Sequence, residues 1–242
     1  MRILAIDTAL PAVSACVLDS EADEPLAVES IAMERGHAEA IMPLIERVME
    51  KVEGGFASLD RVAVAVGPGS FTGIRIGLAA AQGIALARKI DIVGVSTLAA
   101  LAAPLILEEF DGVVAAAIDA RHGHVFIAAF GPDGRPLLSP RRAGAHEALR
   151  ALGDGPLLLI GSGAELLAQE ARASGVETTI SSDRAAPDIV YVARLGFAAR
   201  PESAPARPLY LKEPDVTVGG KQQEAAPAPE PPEALASEPA PA

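Results

Sequence analysis

The chain has 242 residues; half are hydrophobic, only 3% are aromatic, and the formal net charge is −12. This acidity argues against an autonomous nucleic-acid binder, which needs a basic footprint, and the scarcity of rings leaves no stacking platform for single strands. One cysteine, Cys16, cannot build a disulfide framework or a cysteine zinc site within the chain. The opening MRILAID lacks a signal-peptide pattern, and no apolar run is long and charge-free enough to span a bilayer, so the expected location is cytoplasmic.

Read in chain order, residues 2–6, 13–18 and 26–31 are three short strands. Residues 37–52 show helical spacing, with Ala38, Ile41, Ile45, Val48, Met49 and Val52 near one stripe. The β-rich run 61–66 leads into the glycine loop GPGSFTG and a helix of small residues over 73–88. A strand at 92–95 follows, and then a helix from the cap Ser96 to Leu107. A second set begins at Gly112: a hairpin of 113–118 and 125–130 across DARHGH, a third strand at 135–138, a helix at 145–152 and a strand at 157–160. A helix from Gly163, a strand at 177–180 and a helix at 187–199 complete it. Three strands followed by alternation, twice over, predict a duplicated α/β fold of two lobes, each starting βββαβα, with the second lobe reduced. Residues 213–242 hold seven prolines, no aromatic residue and six acids against one lysine. That segment cannot bury enough apolar surface to offset its ordering entropy and is expected to be a disordered acidic tail.

GPGSFTG is not a Walker A loop, because no Gly-Lys-Ser/Thr ends it, and its glycines lack dinucleotide-fingerprint spacing. Amides at the helix start attract anions, but Pro68 removes one of them. In the helix, Gly73, Gly77, Ala81 and Ala85 lie four apart and form a stripe without bulk. Interior glycines cost a helix about 1 kcal/mol each, so close packing must compensate, against either a partner or this protein's own core. Asp7 and Thr8 end the first strand and Asp119 sits at the matching place in the second half. All three are weak nucleotide candidates, since the hairpin Ala9-Leu10-Pro11-Ala12 has no glycine for close approach to phosphate. His122 and His124 have no evident third ligand, so the DARHGH segment reads as a polar hairpin turn rather than a metal site. Ser162 and Glu165 fit a capping box at the helix start. No serine or cysteine triad can be assembled.

The stretches IDTALPAVSACVLD (6–19), HAEAIMPLIERVM (37–49), GPGSFTGIRIGLAAAQGIA (67–85), GVSTLAALA (94–102), DARHGHVF (119–126) and PLYLK (208–212) together resemble the bacterial TsaB family, also called YeaZ. The resemblance covers residues 1–212. It implies an actin/Hsp70-like fold, with 1–110 as the N-terminal lobe, 111–212 as the C-terminal lobe and 213–242 outside both. It implies a non-catalytic dimerisation subunit of the machinery that makes threonylcarbamoyladenosine beside the tRNA anticodon. The implied partners are the catalytic TsaD subunit of the same fold, which holds the metal, and the ATPase TsaE. The resemblance also implies that a homodimer forms in isolation, that tRNA is reached only through the complex, and that no membrane is involved. No cofactor is expected: relatives with chemistry bind metal through a paired histidine motif on a helix, and only His37 stands at the matching helix. The family's N-terminal helices map the interface onto His37, Ile41, Ile45, Gly73, Ile74, Arg75, Gly77, Leu78, Ala81, Ile84 and Ala85. The competing reading is a free-standing actin-fold phosphotransferase or ATPase, which would need a phosphate-binding hairpin and a magnesium-poised acid such as Asp7 or Asp119.

Overall fold

The computed structural model describes residues 1–108, 110–153, 155–182 and 185–211; the acidic segment 213–242 lies outside them. Strand β1 (Arg2–Asp7) sends Leu4 and Ile6 into one core and Ile3 and Ala5 into another. A strand buried on both faces reads as a continuous apolar run, as RILAID does. Strands β2 (Ala12–Asp19) and β3 (Ala27–Ala32) add antiparallel on one side of β1, and β4 (Arg61–Gly67) and β5 (Asp91–Ser96) add parallel on the other. The sheet order is β3-β2-β1-β4-β5. Helices α1 (His37–Glu50) and α2 (Phe71–Arg88) cover one face, and α3 (Thr97–Leu107) follows β5.

The second half repeats this wiring. Strands β6 (Val113–Asp119), β7 (His124–Phe130) and β8 (Pro136–Gly144) form an antiparallel set, and β9 (Leu157–Ile160) and β10 (Thr178–Ser182) run parallel beyond β6. The order is β10-β9-β6-β7-β8, the same topology as the first sheet. Helices α4 (Ala145–Leu152) and α5 (Ala164–Ser174) cover its outer face. The half is reduced in the length of its parallel strands, four and five residues against seven and six. The third strand is longer than the expected 135–138, because its pairing with β7 continues to Gly144.

The two inner helices are exchanged. α3 leaves the first sheet and packs on the second, with Leu98, Leu101 and Leu105 against Val114, Ala116, Ile118 and Ile160. α6 (Ile189–Ala198) leaves the second sheet and packs on the first, with Ile189, Val192 and Ala193 against Ile3, Ala5, Cys16 and Ala63. Small residues on that face let α6 approach closely: a Cβ added at Gly196 would stand 2.5 Å from the Ala63 methyl. The Arg61 guanidinium fixes the end of α6 by donating to the carbonyls of Gly196 (3.1 Å) and Ala199 (3.0 Å), where a helix has unpaired acceptors. Burial pushes the Cys16 thiol up to about 12, so it is an inert core residue.

Past α6, residues 204–211 return across the first sheet as a strap. The Gly94 N–H donates to the Ala204 carbonyl at 2.9 Å, and the Leu209 N–H donates to the Val66 carbonyl at 2.8 Å. Ala206 and Leu209 pack on the core beneath α1 and α2.

Candidate functional site

The glycine loop is built to seat a helix on a turn. Ser70 caps α2, its Oγ accepting the Gly73 N–H at 3.2 Å, and its own N–H donates to the Ala9 carbonyl at 2.7 Å. The Thr8 hydroxyl donates to the Gly73 carbonyl at 2.7 Å. A Cβ at Gly69 would land on the Ala9 carbonyl oxygen, one at Gly73 on the Thr8 carbonyl oxygen, and one at Gly77 would stand 2.5 Å from Thr8 Oγ1. The first turn of α2 therefore rests directly on the β1–β2 turn. Two of the amides that would cradle a phosphate are already bonded within the protein.

This packing corrects the interface assignment of the small-residue stripe. Gly73, Ile74, Gly77, Leu78, Ala81, Ile84 and Ala85 are buried against the first sheet and the Thr8 turn, as are Ile41 and Ile45 of α1. They are covered by this protein's own core and offer nothing to a partner. Of the expected interface residues, Arg75 is exposed and His37 is half-buried.

The three weak nucleotide candidates lie in different settings. Asp7 is 3% exposed and Thr8 1%, and neither lines the cleft of about 780 Å³ between the lobes. The Asp7 carboxylate accepts the Ala9 N–H at 2.8 Å. Burial pushes its pKa up to about 6, against the opposing pull of that amide and of nearby His37. Asp119 does line the cleft, but its Oδ1 accepts the Arg121 N–H at 2.8 Å within its own turn. The His37 Nε2 sits 3.1 Å from the Leu10 carbonyl, which can only accept, so His37 donates there and braces α1 against the hairpin. His124 donates from Nδ1 to the His122 carbonyl at 2.9 Å, a bond within the hairpin turn. Among the described residues no group of three or more His, Cys, Asp or Glu is placed to hold a metal ion. Ser162 does not cap α5: its Oγ accepts the Asp119 N–H at 3.1 Å, and Glu165 pairs with Arg172.

The outer face of the same two helices has a different character. Along α2 it presents Phe71, Thr72, Arg75, Ala79, Gln82, Gly83, Leu86 and Ala87; Leu86 is 80% exposed, and nothing lies within 4 Å of a Cβ built at Gly83. Beside it α1 exposes Met42 (47%) between Glu39, Glu46 and Glu50. No Asp or Glu occurs from Arg61 to Ile90, a stretch with Arg61, Arg75, Arg88 and Lys89, although the chain as a whole is strongly acidic. At the N-terminal end of α2 the strap adds Tyr210, whose ring stacks on Phe71 with centroids 5.1 Å apart. The Arg75 guanidinium lies 3.7 Å over the Phe71 ring, and its Nε donates to the Tyr210 hydroxyl at 2.9 Å. Phe71, Met42, Leu86 and Tyr210 escaped the sequence reading. The acid-free stretch, and Leu86 lying out of phase with Ile74, Leu78 and Ala85, were the signals that could have found this face.

Comparisons with known proteins agree with the architecture. The family model for TsaD, tRNA N6-adenosine threonylcarbamoyltransferase, matches residues 30–137. The TsaB protein of Escherichia coli K12 is 37% identical over 133 residues, 55% of this chain and 56% of that protein. The TsaB protein of Bacillus subtilis 168 is 34% identical over 126 residues, 52% of this chain and 53% of that protein. The chain thus aligns with about half the length of these curated relatives. An uncharacterized protein of Mycobacterium tuberculosis H37Rv is 33% identical over 214 residues, 88% of this chain and 92% of its own. A Pseudomonas aeruginosa crystal structure described as similar to peptidase YeaZ superposes with TM-score 0.73 at 26% identity, covering 87% of this chain and 99% of its own. The YeaZ structure from the same organism gives 0.71 at 23% identity, covering 86% and 100%. With its duplicated actin/Hsp70-like lobes and these relatives, the chain belongs to the TsaB/YeaZ family.

Proposed function

We propose that this chain is the non-catalytic subunit of a complex that forms N6-threonylcarbamoyladenosine in tRNA, and that a TsaD-type paralogue docks on the outer face of α1 and α2. The observation that carries this reading is that face: α2 presents alanine, glycine and Leu86 to solvent, with no acid among them. An exposed helix surface of small apolar residues is suited to burial against another helix. The TsaD family model spans both helices, so the same elements occur in the paralogue, which supports a pseudo-symmetric pairing. The turns that a phosphotransferase would use are bonded inward, Asp7 to Ala9 and Ser70 to Ala9, which favours a scaffold over a free-standing enzyme. In this reading residues 1–110 supply the partner face, a TsaE-type ATPase joins the pair, the chain pairs with itself when alone, and tRNA is met only through the complex in the cytoplasm.

Reconstitution tests it. Purified chain, the TsaD-type paralogue of the same organism, threonylcarbamoyl-adenylate and tRNA are combined, and the modified nucleoside is measured. Modification should require both proteins. Modification by this chain alone, or full activity without it, would overturn the proposal.

A further inference from the structure

The Arg75 guanidinium is held in a fixed pose at the surface and lacks a carboxylate partner among the described residues. Phe71 lies beneath its plane at 3.7 Å, and Tyr210 Oη takes its Nε–H at 2.9 Å. Of the five N–H groups of a guanidinium, the four on Nη1 and Nη2 are left, and these form the end-on fork that binds a carboxylate through two parallel bonds. Both rings are partly exposed, Phe71 38% and Tyr210 41%, so a docked partner would cover them and lower the dielectric around the fork. The nearest acids in sequence on either side are Asp60 and Asp91.

Holding the fork in place recruits a distant part of the chain. Tyr210 belongs to the strap, and the Leu209 amide ties that strap to the Val66 carbonyl at 2.8 Å. The cluster is thus assembled from residues 135 apart in sequence and ends on the solvent side. Tyrosine and arginine packed together are the residue types that dominate binding energy at protein interfaces.

We infer that Arg75, oriented by Phe71 and Tyr210, is a specificity anchor that receives an Asp or Glu side chain from an otherwise apolar helix of the partner subunit. This rests on the partner reading above. Ala79, Gly83, Leu86 and Ala87 on the same face supply contact area without direction, because their side chains form no hydrogen bonds, and Arg75 is the one charged group among the exposed residues of that face. The fork sets which helix docks and in which register.

The test measures binding of the full chain to the TsaD-type paralogue by calorimetry at two salt concentrations, with thermal unfolding of each variant alongside. Arg75→Lys keeps the charge and loses the fork; its affinity should fall about 10- to 100-fold. Arg75→Gln should fall at least as far and lose part of the salt dependence of binding. Tyr210→Phe keeps the ring and frees Nε, and should lose about threefold to tenfold. Melting temperatures should stay within roughly 2 °C of the parent. A charge swap, Arg75→Glu with an acid of the partner's docking helix changed to Arg, should restore binding that either single change abolishes. The inference fails if Arg75→Gln binds within about twofold of the parent at both salts, or if the variants lose affinity only in step with lost stability. If the parent chain forms no complex with the paralogue, the partner reading falls and this inference with it; a parent complex indifferent to Arg75 removes the inference alone.

Discussion

The two faces of α2 both carry glycine, alanine and leucine and do opposite work. The inner face, Gly73, Ile74, Gly77, Leu78, Ala81 and Ala85, is small so that α2 can lie on the Thr8 turn and the first sheet. The outer face has small residues of its own, Ala79, Gly83 and Ala87, among Phe71, Arg75, Gln82 and Leu86, but nothing in the described residues stands within 4 Å of a Cβ at Gly83. A stripe of small residues records that some backbone comes close; only the fold tells which stripe is already occupied.

The sharpest way to break this comparison is to add bulk to each face. Gly77→Leu drives carbon into Thr8 Oγ1 and should destabilise the isolated chain by about 3 kcal/mol, lowering its melting temperature by roughly 6–12 °C. An unchanged melting temperature would mean that the inner face is not sealed by the protein's own turn.

The turn under the inner face carries its own signature in pH. Asp7 has a folded pKa of about 6 against an ordinary value of 3.8, so the folded state holds the proton more tightly than the unfolded state. The Asp7 contribution to stability is therefore greatest below the unfolded value, falls as pH rises from about 4 through 6, and is level above that, while the lowered carboxyls of Asp19, Glu29 and Glu165 act in the opposite sense at acid pH. The loss is of order 3 kcal/mol. Asp7→Asn keeps an oxygen for the Ala9 N–H and should flatten that segment of a stability–pH curve measured by denaturant unfolding, while raising stability at pH 7. A difference between the parent and Asp7→Asn curves that stays flat between pH 4 and 6 would contradict the burial argument.

On the outer face the same kind of change should be nearly silent in the isolated chain. Gly83→Ala has open space and a better helix former, so stability should rise by about 0.5–1 kcal/mol. Leu86→Glu at an 80% exposed site should move stability by less than about 0.5 kcal/mol and yet weaken the complex with the paralogue by tenfold or more. Equal unfolding temperatures with unequal binding isotherms would sharpen the division between the faces. A large stability loss at Leu86 would erase it.

The element order and its repetition were legible because strand runs such as RILAID and RVAVAV are apolar throughout and are bounded by turns. The failed Walker and dinucleotide patterns were also legible, since they are questions of spacing. The orientation of α2 was not, because alanine, glycine and leucine lie on both of its faces and only Thr72, Arg75 and Gln82 give helical periodicity any contrast to report. The exchange of α3 and α6 was hidden for the same reason: TLAALAAPLIL is apolar all round, which says that the helix is buried but not on which sheet. The capping box failed because Ser162 Oγ is taken by the Asp119 amide, far away in sequence. The Phe71–Arg75–Tyr210 cluster joins residues with no local pattern between them, so only the strap's path reveals it.

That path governs how the chain can be handled. Tyr210 is pinned beside Arg75, so anything attached after Leu211 is tethered at the rim of the α2 face, while the N-terminal ammonium lies 3.6 Å from Asp19 at the other end of β1. A tag or fusion joined directly after Leu211 would be held at high effective concentration beside the α2 face.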